Sequence, residues 1–234
     1  GWQEYAIVTE RDHVVPDGVD PTAALSIFGI NGITAYFGLL DIGRPMEGET
    51  VVVSGAAGST GSIAGQIAKI KGCRAVGIAG SDEKCSWLTE ELSFDAAINY
   101  RSEKVAAKLR ETCPDGIDVY FDNVGGDILE AAIGHLALRG RVVMCGAISQ
   151  YNDSTPSPGP PNLSVLISKR GRMEGFIVLD YLKRSGEAIQ DLATWLAEGR
   201  LTFTVDVMEG LDSAPDALMK LFDGGNTGKM MVRL

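Results

Sequence analysis

Residues 51–72, V-V-V-S-G-A-A-G-S-T-G-S-I-A-G-Q-I-A-K-I-K-G, restrict this chain to few folds. Val51, Val52 and Val53 form a β-branched run bounded by glycine, the pattern of a strand covered on both faces in a parallel sheet. After Ser54 the period changes. Ile63, Ile67 and Ile70 recur at helical spacing beside Ala64 and Ala68, and Gly72 terminates the helix they predict. Between the two lies Ala56-Ala57-Gly58-Ser59-Thr60-Gly61, the dinucleotide fingerprint G-x-G-x-x-G with alanine in the first glycine place. Gly58 would let the backbone approach a pyrophosphate, and Gly61 would let the helix lie close to the strand. The free N–H groups of the first turn would then face the anion. Ala57, Ser59 and Thr60 complete the turn, and a glycine-rich turn that binds nothing is the alternative.

The same alternation continues downstream. Strands at 75–79, 96–99, 118–122, 141–145 and 172–178 interleave with helices at 82–91, 104–112, 127–138, 163–169 and 181–198. This predicts an α/β fold, a doubly wound parallel sheet of Rossmann type whose ligands bind at the carboxyl ends of the strands. Upstream, residues 5–8 read as a strand and 15–18 as a turn. Asp20 caps a helix opened by Pro21, and a second helix covers 33–40. After Gly199 come a strand at 203–207, a helix at 213–222 and a strand at 229–234. Four prolines between Tyr151 and Asn162 keep that stretch out of helix and sheet interior.

With 31 acidic against 21 basic residues the net charge is −10, which leaves no basic field to attract nucleic acid or anionic lipid. Residues 23–40 carry no charge, but Ser26, Gly29, Asn31 and Gly32 interrupt them as buried helices would be interrupted, not a membrane span. Cys73, Cys85, Cys113 and Cys145 form no C-x-x-C pair, and the two histidines are His13 and His135. No metal site is expected, and free thiols fit a reducing, cytoplasmic compartment.

The strand at 75–79 ends in Gly80-Ser81, where an NAD-preferring enzyme would place a carboxylate for the ribose 2′-hydroxyl. None is present. Lys84 instead sits in the first turn of the next helix, against the macrodipole unless it faces an anion. A 2′-phosphate would be that anion, favouring NADP over NAD; a solvated surface lysine is the alternative. Asp122-Asn123-Val124-Gly125-Gly126 and Cys145-Gly146-Ala147-Ile148-Ser149 both follow strands and so lie on the ligand edge, with Asn123 and Ser149 able to hydrogen-bond. Structural turns would explain those glycines equally. Tyr100 could pack at an adenine or in the core.

Six segments taken together carry a family resemblance: residues 34–39, 56–62, 65–69, 80–84, 121–126 and 145–152. They resemble the medium-chain dehydrogenase/reductases, in the zinc-independent branch of prostaglandin and alkenal/enone reductases. The resemblance implies an NADPH-dependent oxidoreductase that reduces the carbon–carbon double bond of α,β-unsaturated ketones or aldehydes. A quinone reductase and a non-catalytic NADPH-binding module stay open as alternatives. It places Lys84 at the 2′-phosphate, Ser81, Tyr100 and Asn123 along the cofactor, and Cys145 to Ser149 beside it. Tyr151 would lie near the nicotinamide ribose and the substrate carbonyl as a catalytic donor. Phe176, Ile177 and Val178 would flank the nicotinamide, and Asn226 would touch the cofactor. Family members begin with a GroES-like domain. Residues 1–18 and 200–234 are expected to be its leftover strands around a dinucleotide domain at 19–199, leaving this chain weakly active or inactive. A homodimer is expected through the apolar edge at 172–178.

Overall fold

Val51 and Val53 point into one hydrophobic core and Val52 into another, which is why three consecutive valines suit this strand. They belong to β1 (Thr50–Ser54), the first strand of a computed structural model that describes residues 2–5, 7, 20–152, 154–155 and 158–234. The expected strand at 5–8 lies partly, and the turn at 15–18 and His13 wholly, outside the described residues.

Ahead of β1 come α1 (Pro21–Leu25) and α2 (Ile30–Phe37), then a π-helical turn at Gly38–Gly43. The Asp20 carboxylate caps α1 by accepting from the Thr22 N–H at 2.8 Å. After β1 the chain runs through α3 (Ser59–Ile70), β2 (Arg74–Ala79), α4 (Asp82–Glu90), β3 (Ala96–Asn99), α5 (Val105–Thr112) and β4 (Ile117–Asp122). Then follow α6 (Gly126–Ile133), β5 (Leu136–Met144), α7 (Val165–Lys169), β6 (Arg172–Gly175) and α8 (Ser185–Ala197). The six strands form one parallel sheet in the order β3-β2-β1-β4-β5-β6. Strand order reverses between β1 and β4, and the crevice above that pair is where such sheets take ligands.

Several predicted boundaries move. The helix expected to reach residue 138 stops at Ile133, because Leu136 pairs with Ile117 and begins β5. Arg139, at φ +64°, and Gly140 absorb a register shift before Arg141 meets Val119. At the other edge β6 ends at Gly175, three residues short of the expected strand. Phe176 turns into the core beside Gly38 and Tyr181, and a 3-10 segment, Val178–Arg184, delays α8.

The C-terminal segment is a β-α-β unit: β7 (Val205–Glu209), α9 (Ala214–Phe222) and β8 (Lys229–Arg233). Among the described residues its two strands pair only with each other, in parallel. The unit is pinned to the glycine-rich turn, where the Gly228 N–H donates to the Ala57 carbonyl at 2.8 Å. Gln66 on α3 grips it further, accepting from the Thr202 N–H at 2.9 Å and donating to the Thr202 carbonyl at 3.0 Å. Among the described residues no helix is long and apolar enough to cross a membrane.

Candidate cofactor site

No side chain caps α3, whose N-cap is Gly58, so the N–H groups of its first turn open onto a cleft. That helix can start so close to β1 only because residue 61 is glycine. A Cβ there would collide with the Gly55 carbonyl oxygen and stand 2.9 Å from Ala56 Cα. Beside the same turn the Ser59 hydroxyl is buried with no hydrogen-bond partner. Free N–H donors and an orphaned hydroxyl around one glycine turn fit a phosphate.

The cleft measures about 580 Å³. Gly58, Ser59, Thr60 and Gly61 form one wall, and Asn123, Val124, Cys145, Gly146, Ile148, Ser149 and Tyr151 form the opposite one. A third side comes from the C-terminal unit, with Asn226, Gly228 and Lys229. The second wall is built on Asp122, fully buried at the end of β4. Its Oδ1 accepts from the Ser54 hydroxyl (2.9 Å), the Tyr120 hydroxyl (2.9 Å) and the N–H groups of Val124 (3.1 Å) and Gly125 (3.0 Å). The Asn123 amide donates to the Ser54 carbonyl at 2.7 Å, and the Ser149 hydroxyl to the Val124 carbonyl at 2.6 Å. The two loops that leave β4 and β5 are therefore held as one rigid edge.

Cys145 lies in this wall as a half-buried thiol. Burial, helped by the Asp122 charge, pushes its thiol up to about 12. The Tyr151 hydroxyl accepts from the Ala147 N–H at 3.2 Å, which leaves its own proton available to an acceptor in the cleft. Ala57 and Ala147 do not line the cleft: the Ala57 carbonyl accepts from the Gly228 N–H, and the Ala147 N–H is spent on the Tyr151 hydroxyl.

Ser81 caps α4, its hydroxyl accepting from the Lys84 N–H at 3.3 Å. Lys84 Nζ crosses to the C-terminal unit and donates to the Gly224 carbonyl at 2.7 Å. Burial, then the nearby Arg101 charge, holds that ammonium below its ordinary value. Tyr100 borders a second hollow of about 620 Å³, next to Gly125, Gly126 and Ser149, and its ring lies against Gly80. Asn226 is buried and donates to the Gly228 carbonyl at 3.0 Å, shaping its own turn. The structure does not bring Phe176, Ile177 or Val178 to the cleft wall. Phe176 and Val178 are half-buried against the core, and Ile177 is exposed.

Three cleft residues escape a reading of the sequence. Lys229 Nζ donates to Asn31 Oδ1 at 3.0 Å, and the Asn31 amide donates to the Thr60 hydroxyl at 3.1 Å. Thr34 lines the cleft nearby. Lys229 stands in the quoted segment Gly225–Lys229, but nothing local shows that it meets Asn31, 198 residues away. Among the described residues no group of three or more His, Cys, Asp or Glu is placed to hold a metal ion.

A parallel sheet ordered 3-2-1-4-5-6, with a glycine turn and an uncapped helix at its switch point, defines a dinucleotide-binding Rossmann domain. The family described as zinc-binding dehydrogenase matches residues 59–198. YfmJ of Bacillus subtilis is 50% identical over 238 residues, covering 100% of this chain and 70% of YfmJ. Prostaglandin reductase 1 of Rattus norvegicus is 46% identical over 220 residues, covering 93% of this chain and 67% of that protein. The NADP(+)-dependent 2-alkenal reductase of Nicotiana tabacum is 43% identical over 236 residues, covering 99% and 68%. Among solved structures, CurA of Vibrio vulnificus in complex with NADPH superposes with a TM-score of 0.93 at 44% identity, over 100% of this chain and 71% of that one. The chain belongs to the medium-chain dehydrogenase/reductase family, in its zinc-independent enone-reductase branch.

Proposed function

We propose that this chain binds NADP(H) and serves the reduction of the carbon–carbon double bond of α,β-unsaturated ketones or aldehydes. The observation that carries this reading is the uncapped α3 N-terminus with the orphaned Ser59 hydroxyl, opening on a cleft of dinucleotide size. The relatives named as prostaglandin and 2-alkenal reductases supply the substrate class.

When bound, the reduced nicotinamide supplies the hydride. The chain's own residues do the rest. The N–H groups of Ser59, Thr60 and Gly61 hold the pyrophosphate, and Lys84 meets the 2′-phosphate in place of the Gly224 carbonyl it touches here. The Asp122-centred network keeps Asn123 and Ser149 at fixed positions along the cofactor. The Tyr151 hydroxyl donates to the substrate carbonyl oxygen as negative charge grows there. Residues 19–199 form the dinucleotide domain on this reading. The C-terminal unit, whose strands stand apart from the main sheet, belongs to the catalytic side together with 1–18. Four free cysteines suit the cytoplasm.

Lys84→Ala is expected to lower the preference for NADPH over NADH by roughly ten- to thirtyfold, the worth of one partly exposed charge-assisted contact. Dissociation constants for both nucleotides in wild type and variant test this, and an unchanged ratio would leave Lys84 a surface lysine. Tyr151→Phe should reduce kcat on a simple enone roughly 10- to 100-fold while NADPH affinity stays within about threefold. Equal kcat in the two proteins would remove the tyrosine from the reaction. Turnover of an enone in preference to a quinone separates the leading reading from quinone reduction.

We also propose a homodimer through the free edge of β6. Ile177, Leu179 and Leu182 are exposed beside that edge, and Ile167 is 81% exposed. Light scattering at tens of micromolar should give twice the chain mass, and Ile177→Asp should halve it. A monomeric wild type ends the idea.

A further inference from the structure

Two cations converge on one turn, and among the described residues no carboxylate is bonded to either. Lys84 on α4 donates to the carbonyl of Gly224, and Arg101, just past β3, donates through Nη2 to the preceding carbonyl, Asp223, at 2.8 Å. Among the described residues neither forms an ion pair. Asp206, whose charge acts on Lys84, is itself paired with Lys220, whose Nζ stands 2.8 Å from it. In a chain with ten more acidic than basic residues, like charges held together without an anion call for one from outside.

The arrangement is built, not incidental. Asn99 is buried at the end of β3 and uses both ends of its amide: Oδ1 accepts from the Arg101 N–H at 3.0 Å, and Nδ2 donates to Asp82 Oδ1 at 2.7 Å. One side chain thus fixes the turn that carries Arg101 relative to the first turn of α4, which carries Lys84. The Arg101 guanidinium also lies over the Tyr100 ring, 5.9 Å from its centroid. That contact keeps the fork on the side of the strand ends where the cofactor's adenosine would lie.

We propose that Arg101 is a specificity-determining residue that shares the 2′-phosphate of NADPH with Lys84. This rests on the reading that the cleft binds NADP(H). A guanidinium can give two parallel N–H groups to phosphate oxygens while Lys84 supplies a point charge, so the pair matches a dianion better than either alone. In the absence of ligand the Asp223 and Gly224 carbonyls occupy those donors, and the phosphate replaces them.

The test measures dissociation constants of NADPH, NADH and adenosine 2′,5′-bisphosphate for wild type, Lys84→Gln, Arg101→Gln, Arg101→Lys and the Lys84→Gln/Arg101→Gln double variant. Arg101→Gln should weaken NADPH and the bisphosphate about tenfold and leave NADH within twofold. Arg101→Lys should recover part of the loss. The double variant should bring the two nucleotides to within about threefold of each other. An NADPH/NADH ratio unchanged in Arg101→Gln but lowered in Lys84→Gln overturns the assignment of Arg101 while the NADP(H) reading stands. Equal weakening of both nucleotides overturns it too, because Arg101 would then only support the Asp223 turn. A wild type that binds both nucleotides equally, or neither, overturns the NADP(H) reading and the proposal with it.

Discussion

Gly61→Val is expected to abolish measurable NADPH binding, with affinity falling by roughly 100-fold or more, and to lower stability by about 2–4 kcal/mol. The obstacle is backbone. A Cβ at residue 61 runs into the Gly55 carbonyl oxygen and Ala56 Cα, neither of which can rotate away as a side chain would. The first turn of α3 must therefore lift off the end of β1, and the N–H groups that would hold the pyrophosphate move with it. Midpoint temperature should drop roughly 5–12 °C for a chain of this size. Gly186→Ala is the matched control, since a Cβ there meets nothing within 4 Å. Its helix α8 should be unchanged or slightly stabilised, by up to about 1 kcal/mol. Differential scanning fluorimetry and nucleotide titration on both variants decide the matter. A folded Gly61→Val protein that binds NADPH within threefold of wild type would show that close helix–strand approach is not what the glycine provides.

The features legible in the sequence are those that local pattern determines. A valine run buried on both faces, followed by isoleucines at helical spacing, leaves one reading for β1 and α3. Where the pattern fits two structures the sequence cannot choose. Leu129, Ile133 and Leu136 continue a helical stripe, yet Leu136 belongs to β5, because pairing with Ile117 across the sheet outweighs one more helical turn. Phe176 likewise looks like strand until Gly38 offers its ring a place in the core. The site divides in the same way. Its glycine turns are backbone features with a spacing, so Gly58 and Gly61 could be found. The Lys229–Asn31–Thr60 chain and the Lys84–Arg101 pair join residues far apart in sequence, and only the folded chain shows them.

Arg141→Ala is expected to destabilise the chain by about 3 kcal/mol, although the residue touches no part of the cleft. From β5 its guanidinium donates to the carbonyls of Gly43 (2.9 Å) and Arg44 (3.1 Å) and grips both oxygens of Glu49, ahead of β1. Only 17% of the arginine side chain and 13% of the glutamate is exposed, so removing the cation strands a largely desolvated carboxylate. Its one remaining partner would be the Met46 N–H at 2.8 Å. Replacing both members, as in Arg141→Met with Glu49→Leu, should recover most of the loss because no buried charge is then left alone. Acid provides an independent check. Burial alone would raise the Glu49 carboxyl, but the Arg141 hydrogen bonds, the Met46 N–H and the arginine's charge together hold it below its ordinary value. A depressed folded-state pKa means the pair contributes fully above the unfolded value of about 4.3 and loses that contribution as pH falls through the folded one. In Arg141→Ala the same carboxyl keeps its burial and loses its cation, so its protonation moves to higher pH. The stability gap between wild type and variant should therefore be widest near pH 7 and shrink toward pH 3. Urea unfolding across that range measures it, and parallel pH profiles for the two proteins would mean that the Glu49 charge does not depend on Arg141.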